Sequence, residues 1–310
     1  MKVAYFPDAQ RPGWHHPVVA LGNFDGLHRG HQRLIDDVRR RAAERAGTSV
    51  AMVFDPHPPR VVRPDRAPRL LMTLDQKLEA FERAGLDAAV VVRCTPDVAR
   101  WEPELFVETV LVDWLRVSEV LVGANFLFGR DRSGTFTLLR TLGQDRGFRA
   151  ENIEPVFYKD FIVSSTRVRR LIEEGRVDEA GALLGHHYFI DGLVVQGDGR
   201  GRQLGFPTAN LRTDNELVPA NGIYASIAIV DGAAHAAATS IGVRPTIGDG
   251  QFTVETFLLD GRHDLYGKRL RVAFVLRLRP EMKFESLDAL VAGMTADVAR
   301  VRALFAATAL

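Results

Sequence analysis

Pro17-Val18-Val19-Ala20-Leu21-Gly22-Asn23-Phe24-Asp25-Gly26-Leu27-His28-Arg29-Gly30-His31 decides how the first half of this chain folds. Residues 17–21 form an apolar run that predicts a buried strand. From His31 to Ala46, the recurrence of Leu34, Ile35, Val38 and Ala42 predicts an amphipathic helix. Two histidines and three glycines therefore sit where a strand turns into a helix. Backbone N–H groups and the helix dipole favour an anion at such a place. Histidines there can donate to phosphate oxygens. The stretch thus predicts nucleotide chemistry, with Gly22, Asn23, Phe24, Asp25 and Gly26 as a phosphate-binding turn and His28 and His31 as candidate catalytic groups.

The alternation continues outward from this stretch. Residues 50–54, 88–92 and 119–122 read as strands, and 74–84, 104–115 and 135–146 as helices. That order predicts an α/β fold with a parallel sheet covered on both faces. A further helical region, 165–184, is interrupted near Gly175. After Gly185 the pattern changes. Strand-like runs at 188–195, 223–230, 234–240, 252–259 and 270–278 follow one another, with Asp231-Gly232 as a hairpin signal. Only residues 286–306 read as a helix. Successive strands predict an all-β barrel or sandwich. The expected domains are 1–185 and 186–310, in keeping with a chain of 310 residues.

Composition narrows the partners. Lys and Arg number 40 and Asp and Glu 39, so no charge excess points to nucleic acid or to an anionic membrane. The triplet Arg39-Arg40-Arg41 reads as a solvated helix face. Cys94 is the lone cysteine, which excludes an intrachain disulfide and a thiolate zinc cluster. It follows the apolar run 89–92 and reads as strand-end packing. Residues 1–14 lack the charged start and apolar run of a signal peptide. The longest mostly apolar region, 223–243, is broken by Asp231, Gly232 and His235. The expectation is a cytoplasmic monomer or weak homo-oligomer with no membrane span and no nucleic-acid partner.

Three further segments join the first. Phe54-Asp55-Pro56-His57-Pro58 is a rigid turn after a strand. Val122-Gly123-Ala124-Asn125-Phe126-Leu127-Phe128-Gly129 again follows a strand. Val163-Ser164-Ser165-Thr166-Arg167-Val168-Arg169 opens a helix. In open α/β sheets ligands lie outside the carboxyl ends of the strands, and all four segments are expected there. Ser165 and Thr166 can cap their helix and bind an anion. His57 also fits a stiff turn, and Asn125 a turn-former. Nucleotidyl transfer needs positioning and charge stabilisation more than a covalent nucleophile, and these residue types supply both. The patterns at 22–31 and 164–169 resemble the adenylyltransferase module of bacterial bifunctional riboflavin kinase/FMN adenylyltransferases, the prokaryotic FAD synthetases, across residues 15–185. The resemblance implies a Rossmann-like nucleotidyltransferase domain. His28, His31 and Arg169 would be catalytic, Ser165 and Thr166 would bind ATP phosphates, and His57 and Asn125 would bind flavin or another ligand. Many members carry aspartate at the Asn125 position.

A second motif set lies in the strand-rich half. Val195-Gln196-Gly197-Asp198-Gly199-Arg200-Gly201-Arg202-Gln203-Leu204-Gly205-Phe206-Pro207-Thr208-Ala209-Asn210-Leu211 is dense in glycine, so backbone can approach a phosphate chain closely. Gly199, Gly201 and Gly205 are the candidate phosphate-binding positions. The run is neither a P-loop nor Gly-x-Gly-x-x-Gly. Thr208 and Asn210 offer oxygen ligands two residues apart, suited to Mg²⁺ held between protein and phosphates. In Val254-Glu255-Thr256-Phe257 the carboxylate lies within an alternating strand and needs a partner or a task. An ion pair and a general base both fit. With residues 219–224, 240–246 and 264–267, these segments resemble the riboflavin kinase module of the same family. The resemblance implies that Thr208 and Asn210 hold Mg²⁺ and ATP, that Glu255 is the base, and that the domain is a six-stranded antiparallel β-barrel. Phe257 stands where many members have histidine.

The reading is therefore bifunctional. Riboflavin and ATP would give FMN in the C-terminal domain, and FMN and a second ATP would give FAD and pyrophosphate in the N-terminal domain. The alternatives are a chain with one active module, an RNA-binding protein on a synthetase-like fold, and a non-catalytic flavin carrier. Two whole motif sets favour two activities. The balanced charge and the lack of an RNA-binding signature oppose the second alternative.

Overall fold

The computed structural model describes residues 1–197, 200–243, 252–261 and 263–307, so Gly199 and part of the 240–246 segment lie outside the described residues. The chain divides into two compact units, Met1–Ser164 and Ser165–Leu310.

In the first unit, β1 (Lys2–Phe6), β2 (Val18–Leu21), β3 (Ser49–Asp55), β4 (Ala88–Arg93), β5 (Glu119–Gly123) and β6 (Arg149–Ile153) form one parallel sheet in the order β1-β4-β3-β2-β5-β6. The central strands are near-continuous Val, Ala and Leu runs because both faces are covered. The two edges carry no such signal. β1 buries only Ala4 and Phe6, and β6 buries nothing fully. The helices are α1 (Arg29–Glu44), α2 (Pro58–Val62), α3 (Leu74–Arg83), α4 (Pro103–Phe106) and α5 (Phe136–Arg146). The helix expected over 104–115 is α4 continued as a π-helix, Val107–Leu115, and stopped by Arg116 at φ 52°. Cys94 is buried, and burial pushes its thiol up to about 11, which suits packing and no chemistry.

Two expectations change. Arg41 is not simply solvated: Arg41 and Arg45 both reach the carboxylate of Glu119, fully buried at the start of β5, and Arg41 also pairs with Glu151 of β6 at 2.5 Å. A buried carboxylate requires such partners, and the cluster ties α1 to β5 and β6. The segment at 163–169 does not leave the parallel sheet either. It follows a two-stranded antiparallel sheet, β7 (Phe157–Tyr158) and β8 (Phe161–Ile162), because the chain has already left the parallel sheet at β6.

The second unit opens with α6 (Ser165–Glu173) and α7 (Val177–Leu184). Ala220 donates its N–H to the carbonyl of Ile172 at 3.3 Å, and Gly175, at φ 77°, lies under Arg277 and Tyr224. The compact units thus divide one helical pair before the change of pattern at Gly185. Then β9 (Tyr188–Val195), β10 (Ala209–Thr213), β11 (Gly222–Val230), β12 (Ala233–Val243), β13 (Phe252–Leu258) and β14 (Arg269–Arg279) close into an antiparallel barrel in the order β10-β13-β12-β11-β14-β9. Asp231 and Gly232, at φ 50° and 80°, make the left-handed pair that a tight hairpin needs. A short helix, α8 (Arg200–Gln203), interrupts the glycine-rich run, and α9 (Leu287–Ala306), capped by Ser286, ends the fold. β10 is the strand that closes the barrel onto β9, in a segment whose sequence predicts only ligand residues. Its period of two does both jobs: Ala209 and Leu211 are buried, while Asn210 is only partly so.

Candidate functional site

β3 and β4 lie on one side of β2, and β5 and β6 on the other. A sheet that changes direction in this way opens a crevice at the carboxyl ends of its strands. Three of the expected segments leave the sheet there, from the neighbouring strands β2, β3 and β5.

The turn after β2 is held from inside. Phe24, at φ 49°, is fully buried, with its ring 5.1 Å from that of His31 and edge-on to Phe81 at 5.3 Å. Asp25 is buried and accepts the backbone N–H groups of Leu71 (3.0 Å) and Met72 (3.1 Å). Gly26 turns the chain at φ 85°. The side chains of Phe24 and Asp25 thus anchor the turn, and Asn23 is exposed.

His28 caps α1. Its Nδ1 accepts the N–H of His31 at 3.3 Å, so neutral His28 carries its proton on Nε2. The two imidazoles stack with centroids 3.6 Å apart and planes 13° from parallel. Gly30 permits this, since a Cβ there would come within 3.2 Å of the His28 ring. Burial, then His28, then the Lys77 ammonium hold the pKa of His31 well below 6.5, and His31 is neutral at pH 7. Among the described residues its buried Nδ1 has no hydrogen-bond partner. The first turn of α1 holds no acidic residue. His57 is buried at the start of α2, and Asn125 is exposed in the turn after β5. Ser165, Thr166 and Arg169 lie on α6 of the second unit.

The barrel gathers the second motif set on its outer surface. Asn210 of β10 pairs in register with Glu255 of β13, and the hydroxyl of Thr208 donates to Glu255 Oε2 at 3.2 Å. Two glycines shape the space around these oxygens. A Cβ on Gly197 would fall 2.2 Å from Asn210 Nδ2, and one on Gly201 would fall 3.2 Å from Thr208 Oγ1 and 2.4 Å from the carbonyl of Phe206. Gly205 turns the chain at φ 86°. Glu255 has no ion-pair partner among the described residues. Thr208 and Glu255 border a cavity of about 230 Å³ between β11–β14 and α9. Phe257 contributes to its wall and meets Phe206 edge-on at 5.5 Å.

Several participants were not legible in sequence. In the first unit these are Lys77 and the Leu71–Met72 backbone. Around the cavity they are Phe206, Arg279, Met282, Phe284 and Asp297. The stripe Leu290, Met294, Val298 was the available signal, because it repeats every four residues along the last helix.

A switch-point sheet with stacked histidines at a helix start, joined to a barrel with clustered oxygen ligands, defines a two-module transferase of nucleotide chemistry. The family model for FAD synthetase matches residues 10–167, and that for riboflavin kinase matches residues 184–305. The chain is 39% identical over 300 residues to a bifunctional riboflavin kinase/FMN adenylyltransferase of Pseudomonas fluorescens, covering 96% of each chain. It is 36% identical over 292 residues to one of Listeria monocytogenes, covering 93% of this chain and 92% of that one. A Streptococcus pneumoniae crystal structure described as a macrolide-efflux protein matches with a TM-score of 0.87 at 28% identity, over 97% of this chain and 99% of that one. Among the described residues no helix is long and apolar enough to cross a membrane. The chain belongs to the family of bifunctional riboflavin kinase/FMN adenylyltransferases. It is a transferase that phosphorylates riboflavin to FMN and adenylylates FMN to FAD, with ATP as the co-substrate of both steps.

Proposed function

We propose that riboflavin is phosphorylated at the Thr208–Asn210–Glu255 cluster and FMN adenylylated at the His28–His31 turn. The observation that carries the first assignment is the hydrogen bond from Thr208 to Glu255 beside the cavity. The flavin ring enters between Phe206, Phe257, Phe284 and Met294, and the ribityl 5′-hydroxyl reaches Glu255. Glu255 takes the hydroxyl proton as the ribityl 5′-oxygen bonds to the γ-phosphorus, and the bond from that phosphorus to the bridging oxygen of ADP breaks. Thr208 keeps the carboxylate oriented. Gly201 and Gly205 let backbone approach the phosphates, a role also proposed for Gly199.

The donor set fits Mg²⁺. Thr208, Asn210 and Glu255 offer hard oxygens, and Gly197 leaves room for the Asn210 amide that a Cβ would fill. Among the described residues no cluster of three His, Cys, Asp or Glu could hold a metal alone, so the ion would be shared with ATP, through Thr208 and Asn210. When bound, it offsets phosphate charge.

In the second step an FMN phosphate oxygen bonds to the α-phosphorus of ATP, and the bond to pyrophosphate breaks. That phosphate is already anionic, so no strong base is needed. His28, through its Nε2 proton, and neutral His31 stabilise the charge that develops. The backbone of 22–26 and the α1 dipole add to this. Ser165, Thr166 and Arg169 bind ATP phosphates, and His57 and Asn125 bind flavin or another part of the ligands. The enzyme acts in the cytoplasm as a monomer or weak homo-oligomer, without nucleic acid.

A time course with riboflavin, ATP and Mg²⁺, resolving riboflavin, FMN and FAD by chromatography, tests the assignment. His28→Ala should abolish FAD formation and spare FMN formation. Glu255→Ala should stop FMN formation while supplied FMN is still converted to FAD. If either change removed both activities in a folded protein, the two-site assignment would be wrong.

A further inference from the structure

α9 forms one wall of the riboflavin cavity through Leu290, Met294, Asp297 and Val298. Only Asp297 and Val301 of its 20 residues are buried. Asp297 is thus an unusual anchor: a carboxylate on a helix that otherwise docks through one fully buried residue, Val301, and half-exposed apolar side chains. Arg279, at the end of β14, meets it as a fork. Nε donates to both carboxylate oxygens at 3.1 Å, and Nη2 donates to Oδ2 at 2.7 Å. Nη1 donates to the carbonyl of Pro280 at 3.1 Å, and the guanidinium lies 5.5 Å from the Phe284 ring centroid. Arg279 and Phe284 line the same cavity. One guanidinium therefore joins the strand that floors the cavity, the segment along its rim and the helix that walls it.

We propose that the Arg279–Asp297 pair positions α9 for the kinase reaction, fixing the width of the cavity that takes the isoalloxazine ring. This rests on the reading of the cavity as the riboflavin site. A planar two-point pair sets both the distance and the angle between its elements. A pair of apolar side chains would hold the helix but leave its angle free, and replacing a buried ion pair by packed apolar residues is often neutral for stability. Positioning and stability can therefore be separated. Asp297 and Arg279 are positioning residues here, since the chemistry belongs to Glu255.

The test uses full-length Arg279→Met, Asp297→Leu and the double variant. Arg279→Met strands the buried charge of Asp297 and Asp297→Leu the partly buried charge of Arg279, so both the melting temperature and riboflavin affinity should fall, with KM for riboflavin rising about tenfold and kcat changing less. The double variant should regain the melting temperature but keep the raised KM. Arg279→Lys, which keeps the charge and loses the fork, should also raise KM. FAD formation from supplied FMN should be unchanged throughout. Recovery of both melting temperature and KM in the double variant would overturn the proposal, as would single variants with unchanged KM. Met294→Trp separates the two readings. If filling the cavity abolishes riboflavin binding while the pair's variants keep their KM, only the positioning role fails. If Met294→Trp binds riboflavin normally, the cavity reading fails, and the proposal with it.

Discussion

The imidazole of His28 stacks on that of His31 at 3.6 Å while accepting the N–H of the same residue at the start of α1. His28 thus occupies the capping position where Ser, Thr, Asp or Asn is usual, and its cap bond determines which nitrogen keeps the proton. Two roles in one side chain can be separated by substitution. His28→Asn should retain the cap and the melting temperature, because Asn is a good N-cap. His28→Ala should destabilise the first unit by about 1 kcal/mol. Both should reduce FAD formation by about a hundredfold or more, the loss typical of a missing charge-stabilising donor. An Asn variant with normal FAD synthesis would show that capping is all His28 does.

Acid should weaken the first unit through His31. Its folded pKa lies well below the 6.5 of an unfolded chain, chiefly through burial. As pH falls through about 6.5 the unfolded chain takes up a proton that the folded protein refuses. Stability is therefore complete above that pH and is lost below it, down to the folded pKa, at no more than about 1.4 kcal/mol per pH unit. Thermal melts of wild type and His31→Asn between pH 7.5 and 5 measure the difference. The variant should lack this part of the acid loss, and parallel pH profiles would refute the assignment.

Asp25 sits within the signature turn, yet its carboxylate is committed to the N–H groups of Leu71 and Met72. Asp25→Asn keeps the shape but turns one acceptor into a donor facing an N–H, and should cost about 1–3 kcal/mol. FAD formation should fall with it because the turn is no longer anchored, whereas KM for riboflavin in FMN formation should stay constant. A variant as stable as wild type would contradict the anchoring role.

Sequence periodicity found what is locally encoded. The buried stripe of α1, the apolar central strands, the Asp231-Gly232 hairpin and the helix after Ser286 all have short-range signals, and the structure holds them. β1 and β6 did not appear because edge strands bury little and their pairing partners are distant in sequence. β10 was hidden by its own chemistry: Thr208 and Asn210 read as ligands, and only barrel closure shows that Asn210 belongs to a strand and that Thr208 stands just before it. At the candidate sites, motif spacing pointed to the histidines, and the family resemblance to Glu255. Neither could show that Phe24 and Asp25 face inward, or that Arg279 and Asp297 meet across 18 residues, because those are facts of packing.

Gly197 offers the sharpest check on the oxygen cluster. A methyl group there would lie 2.2 Å from Asn210 Nδ2 and 2.6 Å from its Oδ1. The amide is the end of a side chain, so it should swing away and leave the barrel intact. Gly197→Ala should fold normally and convert supplied FMN to FAD at the wild-type rate. FMN formation should fall about tenfold, with a higher Mg²⁺ concentration needed for half-maximal rate, as a displaced ligand demands. Gly232→Ala, in the hairpin between β11 and β12, is the matched control. Open space surrounds its Cβ position, but its φ of 80° strains an alanine. It should cost about 1 kcal/mol of stability and leave the Mg²⁺ dependence unchanged. Identical Mg²⁺ titrations for Gly197→Ala and wild type would remove Asn210 from the metal site.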